Sequence, residues 1–150
     1  MALEIGRRPR SVWWVIAAGG VACLVLPSTL SARQWPPLRQ GIWEIVRTMH
    51  ATGGGAPKTV PLTRCMNPAD EWQRQQANLT KAGCTMTPVK QSGSTYTFSS
   101  TCNVMGVSSK TTTTIVAQGD SAYTMTVEGT TDGKPTKETA TGKRTGDCTK

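Results

Sequence analysis

The residues with the richest chemistry in this sequence are its cysteines, of which there are five in 150 residues. Cys23 lies within an apolar N-terminal run, whereas Cys65, Cys84, Cys102 and Cys148 are spread along the rest of the chain. Structural zinc sites take their cysteines in close pairs, and none of these four has a near neighbour of that kind. The four cysteines therefore favour disulfide bonds over a metal site.

The sequence contains few side chains that could catalyse a reaction. His50 is the only histidine, and no serine occupies a Gly-x-Ser-x-Gly turn. Most carboxylates fall in turns or at a predicted helix start, where local structure accounts for them. Glu44 and Glu128 are the one pair predicted to lie within strands, and surface charge on a sheet explains both. We therefore predict no catalytic residues, no cofactor and no metal, and we do not expect an enzyme.

The N-terminal segment predicts export. A cluster of arginines precedes an apolar run over residues 12–26, and small residues follow up to Ala32. This order is typical of a secretory signal peptide, and the run is shorter than the ~18 residues that read as a spanning helix. We predict a signal peptide over residues 1–32 and a periplasmic or secreted mature chain. The alternatives are an uncleaved N-terminal membrane anchor and lipidation at Cys23.

The remaining sequence predicts antiparallel β-structure with one helix. An extended lead-in over residues 33–40 precedes a single domain over residues 41–150. Asn67 can cap a helix near Pro68–Leu79, and Pro68 suits its first turn. Alternating apolar and polar residues between Gly-rich turns predict strands over residues 41–50, 59–65, 84–90, 95–102, 110–117, 122–128 and 136–144. The fold class is mainly β: an antiparallel meander of about seven strands, with curling into a lipocalin-like partial barrel as one alternative.

Four cysteines allow three pairings, and the predicted hairpin around Gly93 selects one of them. Reflection of the chain about Gly93 places Cys84 opposite Cys102 on one sheet face. Directly opposed residues are close enough to form a disulfide. Cys65 and Cys148 are then left for each other, which ties the first third of the domain to its end.

Large apolar side chains are scarce beyond the N-terminal segment, so those within strands are informative. They either line an apolar pocket or fill the core, and the sequence leaves both readings open. These residues are Trp43, Met49, Tyr96, Phe98, Tyr123 and Met125.

The net charge of +8 is spread along the chain, and Lys143-Arg144 is the one basic doublet after the N-terminal segment. Single-stranded nucleic acid is bound by basic grooves with interleaved aromatic residues, a pattern that is missing here. An anionic envelope surface would attract the protein only weakly, at about 1 kcal/mol per lysine or arginine near the surface. We expect no nucleic-acid partner, and the oligomeric state stays open.

Several short motifs follow one another in a distinctive order. They are the opening Gly41-Ile42-Trp43-Glu44, the cysteines Cys65, Cys84 and Cys102, the turn Gly119-Asp120-Ser121 and the ending Gly142-Lys143-Arg144-Thr145-Gly146-Asp147-Cys148. In this order the chain resembles the bacterial domain-of-unknown-function family 3617, small exported proteins of Gram-negative bacteria. The resemblance implies a periplasmic location and a β-rich fold, and it implies no activity.

Two functions remain in view. The first is a non-enzymatic module that binds an apolar small molecule or a lipid, as the mouth of a curled antiparallel sheet can do. The alternative is a structural or interaction protein of the cell envelope. A ligand-sized cavity is the observation that would separate them.

Overall fold

A computed structural model of the protein describes residues 34–50 and 55–149. The predicted signal peptide, including Cys23, lies outside the described residues. Within these ranges the chain forms one antiparallel sheet of eight strands and one helix. The elements are β1 (Gly41–His50), β2 (Lys58–Met66), α1 (Pro68–Lys81), β3 (Thr85–Met86), β4 (Lys90–Ser92), β5 (Thr95–Val104), β6 (Val107–Gln118), β7 (Ala122–Thr131) and β8 (Lys134–Gly146).

The sheet is open, with the strand order β2-β1-β8-β7-β6-β5-β3, and β4 also pairs with β5. Strands β5 to β8 form the predicted meander, and the hairpin of β1 and β2 joins it through β8. The predicted fold class, mainly β with a single helix, is confirmed. The sheet does not close into a full barrel, because the described strands end at two edges, β2 and β3.

The structure has eight strands rather than about seven because the predicted strand over residues 84–90 is broken. Met86 lies opposite Ser100, as the reflection about Gly93 predicts, but Gln91 lies opposite Tyr96, one residue out of that register. The break falls at Pro88, which has no N–H to donate to the neighbouring strand. Two short strands, β3 and β4, therefore replace one continuous strand.

Helix α1 begins at Pro68 as its sequence predicts and ends at Lys81, two residues beyond the predicted Leu79. The Asn67 side chain accepts a hydrogen bond from the backbone N–H of Ala69 at 3.0 Å, and Pro68 occupies the first turn. Such a cap satisfies a backbone donor that the helix leaves free. After the last turn, Gly83 adopts a φ of +93°, a conformation that glycine reaches without strain.

The helix covers one face of the sheet, here called the inner face, where the buried residues collect. They include Trp43, Ile45, Tyr96, Ile115 and Tyr123 from the sheet and Trp72 from α1. The lead-in contributes as well, since Trp35 is 6% exposed and Leu38 is 5% exposed. The described part of the predicted lead-in, residues 34–40, therefore contributes side chains to the core.

The opposite face, here called the outer face, carries mainly threonine. One row of threonines crosses six neighbouring strands in register: Thr97, Thr114, Thr126, Thr139, Thr48 and Thr59. The Thr48 and Thr59 hydroxyls lie 3.2 Å apart and share a hydrogen bond. Threonine favours strands while its hydroxyl tolerates water, so this face needs no covering layer.

Candidate functional site

The course of α1 across the inner face follows from the strand order. The helix leaves β2 at one edge of the sheet and leads into β3 at the other. Six inter-strand spacings separate these edges, about 29 Å, whereas 14 helical residues span about 21 Å. The helix and its short flanking segments therefore lie across the inner face as a strap.

A groove with a volume of about 310 Å³ lies between the strap and the inner face. On the helix side its lining is Glu71, Trp72, Gln75, Gln76 and Leu79, of which the last four lie on one helical stripe. On the sheet side the lining runs from Leu62 on β2 across to Met86 on β3. The groove thus extends under the helix from one sheet edge towards the other.

The strap and the inner face are held together by aromatic residues. The ring centroids of Trp72 and Tyr123 are 4.9 Å apart, those of Trp43 and Tyr123 are 5.6 Å apart, and those of Trp35 and Trp72 are 6.1 Å apart. Trp43 is fully buried, and its indole N–H donates to the Arg39 carbonyl oxygen at 3.0 Å. Trp72 and Tyr123 therefore form an aromatic wall of the groove, and Trp35 and Trp43 pack against them.

Tyr123 stays neutral within this wall. Burial raises the pKa of its hydroxyl from 10.0 to about 12, and the positive charge of Arg47 opposes part of that rise. Burial has this effect because an apolar environment disfavours the charged phenolate. Tyr123 therefore acts as an apolar packing residue over the physiological pH range.

Beyond the aromatic wall the lining is apolar and only half-buried. Its members come from the helix and from four different strands: Met66, Leu79, Met86, Phe98, Met125 and Val127. Three of the six are methionines, whose unbranched and polarisable side chains adapt to irregular shapes. The fold thus leaves apolar surface around the groove that its own side chains do not fully cover.

The charges on the lining balance. Arg47 contacts Glu138 through two nitrogens at 2.7 and 2.8 Å, both to the same carboxylate oxygen. Arg64 and Glu71 are the other charged residues of the lining, and Glu71 pairs with Arg74 at 2.6 Å. Two arginines and two glutamates give the lining no net formal charge.

One buried polar atom of the lining has no hydrogen-bond partner in the described part of the chain. The amide nitrogen of Gln76 is buried, with less than 1 Å² exposed, and makes no hydrogen bond. The nearby hydroxyls differ, since those of Ser100 and Thr111 lie 2.8 Å apart and bond to each other. Buried polar groups in folded proteins are nearly always paired, so Gln76 marks a place where a partner is expected.

The two disulfides flank the strap. Cys65 precedes the first residue of α1 and bonds to Cys148, with a Cα–Cα distance of 5.5 Å. Cys84 follows the last residue of α1 and bonds to Cys102, with a Cα–Cα distance of 4.2 Å. These are the two pairs expected from the sequence. Disulfides persist in oxidising compartments, so they indicate an exported environment.

The sequence-predicted pocket or core residues divide into three groups. Trp43 and Tyr96 are buried in the core, whereas the groove is lined by Phe98, Tyr123 and Met125. Met49 belongs to neither group, because it is 38% exposed and does not line the groove. It shares a face with Trp43, but it lies opposite Lys58 near the end of β1, beyond the buried part of that strand.

Other groove residues escaped the sequence analysis. Met66 and Met86 lie at strand ends beside the helix, and only the crossing of the strap brings them to one groove. Gln76 was overlooked because glutamine on a predicted helix reads as surface. Its position four residues after Trp72 and three before Leu79 was the available signal.

The candidate chemical groups outside the groove are not brought together. Glu44 lies in the same cross-strand row as Ala122 of β7. Glu128 lies six residues further along β7, which places it roughly 20 Å away at the usual rise per residue of a strand. His50 is exposed at the end of β1. Over the described ranges, no cluster of three or more metal-ligating residues occurs. The helix of these ranges lacks the length and apolar character needed to cross a membrane.

The comparisons with known proteins agree with the motif order. A family model described as "Protein of unknown function (DUF3617)" matches residues 38–148. Neither curated proteins nor solved structures include a significant match. The matched range contains the whole sheet, the strap and all four disulfide cysteines. The chain therefore belongs to the DUF3617 family.

Proposed function

We propose that this protein is an exported, non-enzymatic binding module whose groove holds an apolar small molecule or the single chain of a lipid. The observation that carries the proposal is the half-buried apolar lining under the strap, where three methionines, Leu79, Phe98 and Val127 meet. Removal of such surface from water normally stabilises a folded protein by about 25 cal/mol per Å². A ligand that covers this apolar lining therefore gains binding free energy from its burial.

The size and shape of the groove support a small ligand. Small-molecule sites are clefts of roughly 300–1,000 Å³, lined mostly by apolar and aromatic side chains with a few polar groups. The groove, at about 310 Å³, lies at the lower end of this range. That volume suits one chain or one compact ring system better than a two-chain phospholipid.

The proposed setting is the periplasm, reached through the predicted signal peptide over residues 1–32. The disulfides support this setting because a reducing compartment does not maintain them. The positive net charge adds a weak attraction to anionic envelope surfaces, where apolar ligands are abundant.

Native mass spectrometry of protein released gently from its own periplasm tests the proposal directly. We expect a co-purifying mass that disappears on unfolding, and an N-terminus close to Arg33. Protein that is consistently free of bound mass would count against the proposal if it also fails to bind the apolar fluorescent probe N-phenyl-1-naphthylamine.

A matched pair of variants locates the binding. Leu79→Gln places an amide in the groove lining, whereas Ala77→Gln makes a similar change at an exposed position of the same helix. We expect Leu79→Gln to weaken probe binding about tenfold and Ala77→Gln to leave it unchanged. Equal effects of the two substitutions would place the probe elsewhere and would refute the groove as the site.

A further inference from the structure

We propose that the hairpin of β5 and β6 is a membrane contact, whose tip inserts an apolar side chain into an anionic lipid surface. The hairpin tip comprises Val104, Met105, Gly106 and Val107, where β5 ends and β6 begins. None of these four residues lines the groove. The inference therefore goes beyond the proposed function and does not depend on it.

The hairpin tip exposes apolar surface to an unusual extent. Met105 is 99% exposed, whereas the other exposed large apolar residues of the described chain are between 38% and 46% exposed. One of these is Val107, which belongs to the same tip. Contact between apolar surface and water is unfavourable, so the stability of the fold gives no reason for a methionine at this position.

The backbone conformation at the hairpin tip also disfavours methionine. Met105 has a φ of +52°, and Gly106 has a φ of +82°. Two-residue hairpin turns with positive φ at both positions are usually Asn-Gly or Asp-Gly. Other residues are strained in this region because the Cβ atom crowds a backbone carbonyl oxygen. Residues that keep such strain are concentrated at functional sites.

The neighbouring hairpin of β7 and β8 makes the same kind of turn with the usual sequence. Asp132 has a φ of +50°, and Gly133 has a φ of +74°. The backbone N–H of Asp132 donates to the Ser108 carbonyl oxygen at 2.7 Å, and its carboxylate accepts from the Ser108 N–H at 2.9 Å. These two bonds brace the first hairpin directly below its tip, so Met105 is presented on a fixed support.

The shape of the hairpin tip favours a bilayer over a protein partner. A stable protein interface buries about 800 Å² on each side, which requires a broad complementary surface. A two-residue turn is instead a narrow convex point. Lipid surrounds such a point from all sides, and the unbranched methionine side chain adapts to a fluid surrounding.

The charges beside the hairpin tip favour an anionic surface. Strand β5 has no charged residue, and the first charged residue of β6 is Lys110. The neighbouring hairpin adds Lys134 and Asp132. Both lysines are exposed and form no ion pair within the described residues, whereas the Asp132 carboxylate is engaged with Ser108. Lysines close to an anionic bilayer strengthen binding to it.

Vesicle flotation of the full exported protein tests the proposal. We expect the protein to float with vesicles of equal parts phosphatidylethanolamine and phosphatidylglycerol, and to bind vesicles of phosphatidylcholine roughly tenfold more weakly. Absence of binding to both kinds of vesicle would overturn the membrane contact. Equal binding to both would overturn the preference for an anionic surface.

Two substitutions of Met105 separate its apolar character from its role in the fold. Met105→Asn suits the positive φ, so we expect its melting temperature to rise by roughly 2–4 °C while vesicle binding weakens about tenfold. Met105→Leu keeps an apolar side chain and should bind vesicles as the wild type does. Equal vesicle binding by the two variants would refute insertion of the side chain.

Two further measurements on the same proteins complete the test. Met105→Asn should bind N-phenyl-1-naphthylamine as the wild type does, because the hairpin tip lies outside the groove. Loss of that binding would show that the substitution acts on the groove and would overturn the independent role of the tip. Size-exclusion chromatography covers contact with a second copy. A wild-type dimer that Met105→Asn dissociates, without vesicle binding, would assign the tip to a protein contact instead.

Discussion

The two faces of the sheet are built from the same strands but have opposite surfaces. The inner face carries the buried aromatic and apolar residues of the sheet, which meet a helix. On the outer face, the residues between them are mostly threonines, which align across six strands. The difference shows that this small domain concentrates its few large apolar residues on one face. The strap then leaves part of that face uncovered.

The asymmetry extends to the disulfides. Cys102 shares the inner face with Ser100 and Phe98, and its partner Cys84 is 5% exposed. Cys65 lies opposite Ile42 on the outer side of the edge strand β2 and is exposed. One bridge therefore closes a local hairpin just after the end of the strap, and the other ties the distant end of the chain to the edge strand β2.

The largest expected effect is the loss of the long bridge. Replacing Cys65 and Cys148 together with serine should cost up to about 4.5 kcal/mol, and replacing Cys84 and Cys102 should cost up to about 3 kcal/mol. The reason is loop length, since the bridges span 83 and 18 residues. Urea denaturation without reductant measures both losses. A larger loss from the short bridge would show that packing under the strap outweighs loop entropy.

A second prediction compares the faces directly. Trp43→Ala should lower the free energy of unfolding by about 3–5 kcal/mol, because Trp43 is fully buried and its removal leaves a cavity. Thr126→Ala in the outer threonine row should cost about 1 kcal/mol or less. Chemical denaturation of both variants tests this contrast. Comparable losses would mean that the threonine row contributes to stability far more than its exposure suggests.

A third prediction uses the pH dependence of the inner face. The pKa of Tyr123 is about 12 in the folded protein and 10.0 without burial. The contribution of this pKa difference to the free energy of unfolding is therefore complete below pH 10. It is lost as the pH rises from 10 to 12, a loss of about 2–3 kcal/mol. Stability curves of the wild type and Tyr123→Phe isolate this loss. Parallel curves above pH 10 would contradict the burial of the hydroxyl.

The smallest expected effect concerns two glycines of β8. A methyl group at Gly142 would overlap the Tyr123 ring, whereas one at Gly146 meets no atom within 4 Å. We expect Gly142→Ala to cost about 1–3 kcal/mol through overpacking and Gly146→Ala to be nearly neutral. Thermal denaturation distinguishes them. Two neutral substitutions would show that the aromatic wall can move to accept the extra methyl group.

Several features of the fold could be predicted because they depend on neighbours in sequence. Asn67 and Pro68 start the helix by local capping. The turn at Gly93 sets the hairpin, but its own register, with Ser92 opposite Thr95, brings Cys84 opposite Cys102 only after the one-residue shift near Pro88. The break at Pro88 was missed, although its cause is equally local. A missing backbone donor interrupts pairing, and the chain resumes one residue out of register.

Other features depended on contacts between distant segments. Trp35 was predicted as part of an extended lead-in, yet it packs on Trp72 and Phe98. In the same segment, the backbone and side chain of Arg39 both contact Asp120. The alternation of apolar and polar residues along β1 predicts that Met49 is a core residue, but it does not show how far along the strand the buried residues extend.

The sequence by itself determined the β-rich class, the single helix, the cysteine pairs and the separation of apolar from threonine-rich sheet faces. These follow from periodicity, turn chemistry and residue type, which act over a few residues. Only the tertiary structure decided that β1 pairs with β8, that α1 with its flanking segments crosses the sheet, and that the amide nitrogen of Gln76 is buried. The groove arises from pairings between residues about a hundred positions apart, and no local pattern encodes where such a pairing leaves space.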